Sequence, residues 1–308
     1  MLRYVSRRLV ETFLALLGTS VFVFSMIHMI PGDPALMVAG LEAGPEVVEQ
    51  IRRELGLDRP LYVQYASFLA NALKGDLGVS IRTGYPVAEE ILDRFPYTLG
   101  IAVGGTVLAT VGGMLTGIVA AMKHNRFWDG AVMVLSLLAV STPSYWLGLM
   151  LMLLFSLSLG WFPSIGIRTP AHYVLPIVTL GAQSGGTISR MTRSAMLDVL
   201  GQEYVRAARA RGSRENSVIV RHALKNALIP VISIVGLRFG QLLAGTVLVE
   251  SVFAIPGVGR LLVDAVLWRD YPMVQGTMLF VASVFVVVNS LTDVLYAVVD
   301  PRIRVTSP

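Results

Sequence analysis

The sequence predicts an all-α polytopic membrane protein with six transmembrane helices, and three observations carry the prediction. Hydrophobic residues fill 54% of the 308 positions and charged residues only 15%, well under the roughly 25% that a soluble domain uses to cover its surface. The apolar residues gather in blocks of about 20, the length that crosses a bilayer's hydrocarbon core, and the mean hydropathy is +0.67. Lysine and arginine concentrate in alternate segments between those blocks, as they do when they set orientation in a membrane.

The first block, residues 9–30, follows a basic start with Arg3, Arg7 and Arg8. Its apolar stretch is longer than the core of a signal peptide, and Pro31-Gly32-Asp33-Pro34 follows instead of a small-x-small cleavage site, so it reads as an uncleaved first span. Residues 31–96 carry six basic residues against ten carboxylates and read as an extracytoplasmic segment. Within it, 45–56 places Val47, Val48, Ile51 and Leu55 at helical spacing, and 62–73 reads as a second helix. The two would form a small helical cap, either a docking surface or a plain connection. The remaining spans fall at 97–122, 130–157, 172–189, 230–253 and 274–299, which makes 97–308 a five-helix core. The span at 130–157 contains Pro143 and reads as one tilted, kinked helix in preference to two broken ones.

With six spans, the basic segments all fall on one side. They are the N-terminal stretch, Lys123 and Arg126, the loop 190–230 and the tail with Arg302 and Arg304. That side is therefore expected to be cytoplasmic, with both termini inside.

The sequence excludes several chemistries. The net charge of +5 comes from these flanking segments, without the aromatic-basic interleaving that stacks nucleic-acid bases. Zero cysteines exclude disulfides, thiolate metal sites and cysteine nucleophiles. No His or carboxylate pair has metal-ligand spacing within a span, and no catalytic residues are assigned. A phosphate-binding P-loop ends in Gly-Lys-Ser/Thr, but Lys74, Lys123 and Lys225 follow Leu73, Met122 and Leu224, so the chain cannot bind ATP that way. A membrane-embedded serine hydrolase would need Ser20 within hydrogen-bond reach of a base. His28 is eight residues away on the same helix, about 12 Å along its axis. A gradient-driven carrier would place ionisable groups at the bilayer midplane. The central spans lack them except for Arg238 in the fifth, which either lines a cavity and meets a substrate carboxylate or snorkels and pairs with an acidic neighbour.

The functional signal lies in the basic loop. Residues 203–213 form a helical run rich in Ala and Arg that ends at Gly212, a good helix stop, and a second helix at 217–228 leads to Pro230. Ala207, Ala208 and Ala210 would let another surface approach closely, and Arg206, Arg209, Arg211 and Arg214 would supply charge. Anionic lipid is one partner for such a surface; the Gly-terminated turn between two helices favours a protein socket.

At this point the sequence resembles a known family. Ala207-Ala208, Gly212 and Ile229-Pro230 resemble the EAA loop of ABC-importer permeases, with Arg206 where that motif usually begins with Glu, a departure typical of the peptide-transporter branch. Leu55-Gly56-Leu57-Asp58, Gly75-Asp76-Leu77-Gly78, Pro256-Gly257-Val258-Gly259-Arg260, Arg269-Asp270-Tyr271-Pro272 and Asp300-Pro301-Arg302 extend the resemblance over the whole chain. It is to the B-type permeases of dipeptide, oligopeptide and nickel importers, glutathione permeases included. The resemblance implies the type I importer (MetI-like) fold and a heteromeric assembly in the bacterial inner membrane. Its other members would be a second related permease, two ATP-binding subunits and an extracytoplasmic substrate-binding protein. It implies no cofactor in this chain, with ATP and Mg²⁺ held by partner subunits. Glu203, Arg206–Arg209, Arg211, Gly212, Ser213 and Arg214 would form the ATPase-coupling loop. Arg238 and the acidic residues Glu250, Asp264 and Asp270, around a turn and short helix at 251–273, are candidates for the substrate pathway. That last segment is either a scoop at the cavity mouth or a pinned loop. Dipeptides, longer peptides, glutathione and chelated nickel all remain open as substrates, and a stand-alone secondary carrier is the competing reading.

Overall fold

A computed structural model describes residues 2–29, 34–39, 43–54 and 56–299. The Pro-Gly-Asp of 31–33 and the C-terminal Asp300-Pro301-Arg302 lie outside the described residues. The chain runs α1 (Leu2–Met29), three short helices α2 (Pro34–Ala39), α3 (Pro45–Glu54) and α4 (Leu61–Leu73), then α5 (Val87–Met122), α6 (Phe127–Ser141) and α7 (Ser144–Leu151), which continues as a π-helix over Met152–Ser158. There follow α8 (Val174–Leu200), α9 (Glu203–Ala210), a single turn α10 (Glu215–Ser217) passing through a π-helix at Val218–Leu224 into α11 (Lys225–Val252), then α12 (Val258–Trp268) and α13 (Tyr271–Val299).

Four described segments are long and apolar enough to cross a membrane: Ser6–Met26, Val87–Met122, Lys225–Leu243 and Tyr271–Val294. The α6–α7 pair makes a fifth if taken as one span, but it is bent by 109°. The single kinked helix expected at 130–157 is therefore broken. Thr142 and Pro143 are extended, with ψ of 125° and 135°. Proline lacks the amide that would continue the ladder and pushes the residue before it out of the helical region. α8 has 27 residues, about 40 Å of helix, but it is too polar to stand among these spans on composition alone.

Three further boundaries differ from expectation. α8 does not stop at Ser189 but continues to Leu200, because Ala195 and Met196 are buried against Ile219, Ala223 and Ala227. The expected loop 190–230 thus shrinks to the stretch around α9. The helix expected at 217–228 is no separate element: α10, the π-helix and α11 follow one another without a break, and Pro230 lies inside α11. α5 begins at Val87, ten residues before the expected start of the span, and carries Pro96 within it.

Glycine sets the spacing of the central pair, α5 and α8. Gly105, Ala109, Gly113 and Gly117 recur every fourth residue on α5 and face Gly181, Gly185 and Ser189 on α8, a small-residue register that lets backbones touch. A methyl group on Gly113 would sit 2.7 Å from the Gly185 carbonyl oxygen, and one on Gly117 2.4 Å from that of Ser189. α8 packs in turn on α6 and α11, and α11 on α12 and α13. α1 lies at the edge against α13, where Arg8 pairs with Asp293 at 2.5 Å, and against α4 through Tyr65. Ser20 is spent in that contact: its hydroxyl donates to the Leu17 carbonyl at 2.8 Å and meets the Tyr65 hydroxyl at 2.9 Å.

Buried apolar clusters succeed one another along the bundle. At one end Val87, Ile91, Leu261 and Val274 join α5, α12 and α13; in the middle Ile101, Leu180, Leu242 and Phe253 join α5, α8 and α11. At the other, basic end Ala121, Met196 and Ala223 close the same bundle. Large apolar side chains such as Leu115, Leu135, Leu153 and Leu291 face outward, as a lipid-exposed surface requires.

Candidate functional site

The basic segment is built as a corner between two long rods. α8 ends at Leu200, Gly201 and Gln202 turn the chain, and α9 runs for eight residues. α9 is amphipathic. Val205 and Ala208 are buried against Val218, Val199 and Leu200, while Glu203, Tyr204, Arg206, Ala207, Arg209 and Ala210 are exposed. Glu203 occupies the first turn, where a carboxylate complements the helix dipole. The corner after α9 is a Schellman motif: the Gly212 amide donates to the Arg209 carbonyl at 2.9 Å and the Ser213 amide to that of Ala208 at 3.3 Å. Gly212 has φ +79°, and a Cβ added there would meet nothing within 4 Å. Its neighbourhood is open on the outside, so only the backbone conformation demands glycine.

Two expectations about this segment need correction. Ala208 does not face a partner; it is sealed against the chain's own α10–α11 neck, because it falls on the same helix face as Val205. Arg209, although exposed, is engaged within the chain, forming a two-pronged pair with Glu215 at 2.7 and 3.1 Å that staples the corner across Gly212. The Arg209 guanidinium holds the Glu215 carboxyl below its ordinary range. Arg211 reaches back to the Ala207 carbonyl at 3.3 Å. The surface presented outward is therefore Arg206, Ala207, Ala210, Arg211, Ser213 and Arg214, a basic ridge with small residues between the charges.

A second polar cluster, not anticipated from the sequence, holds the neighbouring corner. Asp129, 4% exposed at the start of α6, accepts from Arg193 of α8 at 2.5 and 2.8 Å and from the Asn125 amide at 3.0 Å. His124 Nδ1 lies 3.1 Å from the same carboxylate. Asn125 has φ +59°, a left-handed turn that Asn tolerates, which lets the α5–α6 corner fold over the carboxylate. The cluster binds α6 to α8 seven residues before the end of α8, close to the basic corner.

The four pathway candidates part company. Glu250 is fully buried. Thr98 Oγ1 donates to it at 2.7 Å and the Arg260 amide at 3.0 Å, while the Val258 amide donates to Thr98 Oγ1 at 2.9 Å. Glu250 and Thr98 together satisfy the opening amides of α12, groups a helix leaves without internal partners. Gly257 and Gly259 are required beside them, since a methyl on either would sit 2.3–2.9 Å from the Glu250 carboxylate. Asp270, 3% exposed, accepts from Ser80 Oγ, from the Ile81 and Arg82 amides at 3.2 and 3.3 Å, and from the Met273 amide at 3.2 Å. It pins the turn after Gly75-Asp76-Leu77-Gly78 to the start of α13, and Arg82 lies over the Trp268 ring 4.1 Å from its centre. Neither carboxylate is open to a peptide amino group, so both leave the pathway and become fixings of a pinned segment. Asp264 is exposed on α12, 3.8 Å from Arg260.

Arg238 remains, and the structure gives it a setting. It stands on α11, donating to Gln241 Oε1 at 3.0 Å and to Thr187 Oγ1 of α8 at 3.4 Å. Among the described residues no carboxylate pairs with it, so the expected acidic neighbour is replaced by two neutral groups. Gln183, Thr187, Arg190 and Ser194 fall at spacings of four, three and four on α8, one helix face. All are exposed except Thr187, which is half-buried. Gln183 also donates to the Val140 carbonyl at 3.2 Å, beside the break between α6 and α7. This polar face explains the low apolarity of α8, and its spacing was the sequence signal for it.

The family described as binding-protein-dependent transport system inner membrane component matches residues 113–305, and its N-terminal counterpart matches residues 1–102. The chain is 45% identical over 304 residues to the glutathione transport system permease protein of Escherichia coli strain K12, covering 99% of each chain. It is equally similar to the protein of that name in Shigella dysenteriae serotype 1. Among solved structures, the inward-facing MetNI methionine ABC transporter aligns with a TM-score of 0.54 at 17% identity, over 68% of this chain and 96% of that one. An amino acid ABC transporter crystallised with histidines aligns at 0.53 and 15%, over 70% and 94%.

Proposed function

The chain belongs to the inner membrane components of binding-protein-dependent transport systems and is a permease subunit of an ABC importer, and from that premise we propose that it forms half of a peptide translocation pathway driven through the corner at α9. It is a transport component, not an enzyme, and its class works with ATPase and substrate-binding partners. The finer composition we propose is a second homologous permease, two ATP-binding subunits that hold ATP and Mg²⁺, and one extracytoplasmic binding protein. In this arrangement the basic end and both termini face the cytoplasm.

One observation carries the reading: the corner joins the same two rods, α8 and α11, that carry the polar face with Arg238. A push on the basic ridge of α9 moves both rods together, since Val205, Ala208 and Val218 lock α9 to the neck of α11 and to the end of α8. The Asp129–Arg193 pair passes that motion on to α6. The chain's own residues thus provide a socket at one end and a polar wall further along.

The proposed substrate class is supported by the relatives, which carry glutathione transport in their names at 45% identity. Glutathione is a tripeptide, so small peptides including it are the proposed cargo, with chelated nickel as the competing member of the class.

Contact is the direct test. The chain contains no cysteine, so Arg206→Cys or Arg214→Cys introduces a single site for a cross-linker. In the assembled importer, cross-links to an ATP-binding subunit are expected from both positions. An assembled, ATP-hydrolysing complex that gives cross-links from neither would remove α9 from the interface.

A further inference from the structure

Arg238 lies thirteen residues into the 28-residue α11, about 20 Å along it and near its middle. A guanidinium at that depth is costly unless it faces water, a partner or an anion. Here its described partners are two neutral side chains. Gln241, one turn on, accepts from Nη1, and Thr187 of α8 accepts from Nη2, so two of the five N–H donors of the fork are used within the protein. Gln241 is exposed and Arg238 half-exposed, so the fork borders the open side of the bundle and not the apolar cluster of Ala109, Ile188 and Val231 nearby. Along the same face α8 adds Gln183, Thr187 and Arg190. The face therefore carries two cations and several neutral hydrogen-bonding groups, but no carboxylate. Glu250, the sole acid on α11, is buried under α12, and Asp198 of α8 lies beyond Ser194 toward the basic corner.

A planar fork held at its edges by neutral partners, with donors to spare, receives a carboxylate through two parallel hydrogen bonds. We propose that Arg238, positioned by Gln241 and Thr187, is a carboxylate-binding station on the translocation face, favouring passage of peptides with a free carboxylate over their amidated forms. The proposal rests on the reading of this chain as a peptide permease, and deepens it. Arg190, one turn beyond Thr187 toward the basic end, gives the carboxylate a next cation on the way through. Neutral groups around Arg238 suit transit better than a protein carboxylate, which would occupy the fork permanently.

The test uses the complete importer in proteoliposomes with its binding protein saturated in advance by a free-acid peptide or by the same peptide C-terminally amidated. Loading on the binding protein is then common to every permease variant and cancels in the ratio of the two uptake rates. In Arg238→Gln that ratio is expected to fall about tenfold or more from its wild-type value, the size of one lost charge-assisted interaction. Arg238→Lys, which keeps the charge without the fork, is expected to fall in between. An unchanged ratio in Arg238→Gln would overturn the proposal. Should that variant fail to assemble, Gln241→Leu, which leaves the charge but removes its positioning partner, is read the same way: a fall of about threefold or more supports the station, and no change overturns it. Wild-type proteoliposomes that accumulate neither peptide would instead overturn the permease reading beneath it.

Discussion

At the scale of single residues, adjacent glycines on α5 have opposite reasons to be there. Gly113 abuts the Gly185 carbonyl, whereas a Cβ on Gly112 meets nothing within 4 Å. Gly112→Ala is therefore expected to raise the melting temperature in detergent, because alanine improves helix propensity by about 1 kcal/mol. Gly113→Ala is expected to lower it, since overpacking costs about 1–3 kcal/mol. Equal shifts for the two would contradict the close α5–α8 contact. Glu250 belongs to the same scale. Its replacement by alanine leaves the Arg260 amide and Thr98 hydroxyl without their acceptor, and each buried group so orphaned costs about 1–3 kcal/mol. The expected result is loss of stable assembly, with faster proteolysis around α12, and a variant indistinguishable from wild type would reopen a substrate role for that carboxylate. The sequence marked Glu250 and Asp270 as acidic residues near a turn, which is as far as residue type reaches. Whether a carboxylate faces a cavity or caps a helix depends on partners 152 and 190 positions away, Thr98 and Ser80.

Among elements, periodicity and turn chemistry were good guides and continuity was not. The amphipathic helix near 45–56, the helix near 62–73, the Gly-stopped helix ending before Gly212 and the short helix within 251–273 all stand where their patterns place them, the last beginning already at Val258 with Gly259 inside it. Expected breaks, by contrast, were set by proline and charge, and both are poor separators inside a bundle. Pro230 and Pro96 sit within continuous helices, where neighbouring elements can satisfy the freed backbone group, whereas at Pro143 the chain leaves the helix: Thr142 and Pro143 are extended, and the Thr142 hydroxyl donates to the Leu138 carbonyl at 2.7 Å. The polar residues after Ser189 read as loop, but Ala195 and Met196 between them are core. Arg209 and Glu215 form the staple of this corner, and both are largely solvent-exposed. Because the Glu215 carboxyl is held low by Arg209, the staple is intact above the ordinary carboxylate range and is lost as pH falls through the lowered value. Arg209→Ala is expected to leave overall stability nearly unchanged, as exposed pairs contribute little. It is also expected to increase hydrogen exchange at Gly212 and Ser213, and unchanged protection there would count against the staple.

For the whole molecule, family membership was legible from end to end because it rests on short motifs, and the structure gives several of them one physical purpose. Gly75–Gly78, Pro256–Arg260 and Arg269–Pro272 interlock as turns and caps around α12 through Asp270, Glu250 and Thr98. They tie α12 and the start of α13 to α5 and the chain before it at one end of the bundle. The other end carries the corner at α9, and α8 and α11 run between the two. Under the proposed coupling, a push at the corner would pivot these rods against the end that is tied down. What the motifs left unread is the polar face itself, built from unremarkable glutamine, threonine and serine residues whose meaning comes only from their shared side of α8.

The proposed point of energy entry into this chain is the corner at Gly212, which is open on its outer side. The reconstituted importer measures it directly, through ATP hydrolysis and peptide uptake by Gly212→Ala and Gly212→Trp side by side. Alanine adds only the strain of a left-handed backbone, about 1–2 kcal/mol, and meets no neighbour within this chain, so coupled transport is expected to persist. Tryptophan projects from the same open position, where the proposed interface with an ATP-binding subunit lies, and is expected to lower uptake per ATP hydrolysed by at least about tenfold, or to block binding of the ATPase subunits. Wild-type coupling in the tryptophan variant, with the full complex assembled, would contradict the account.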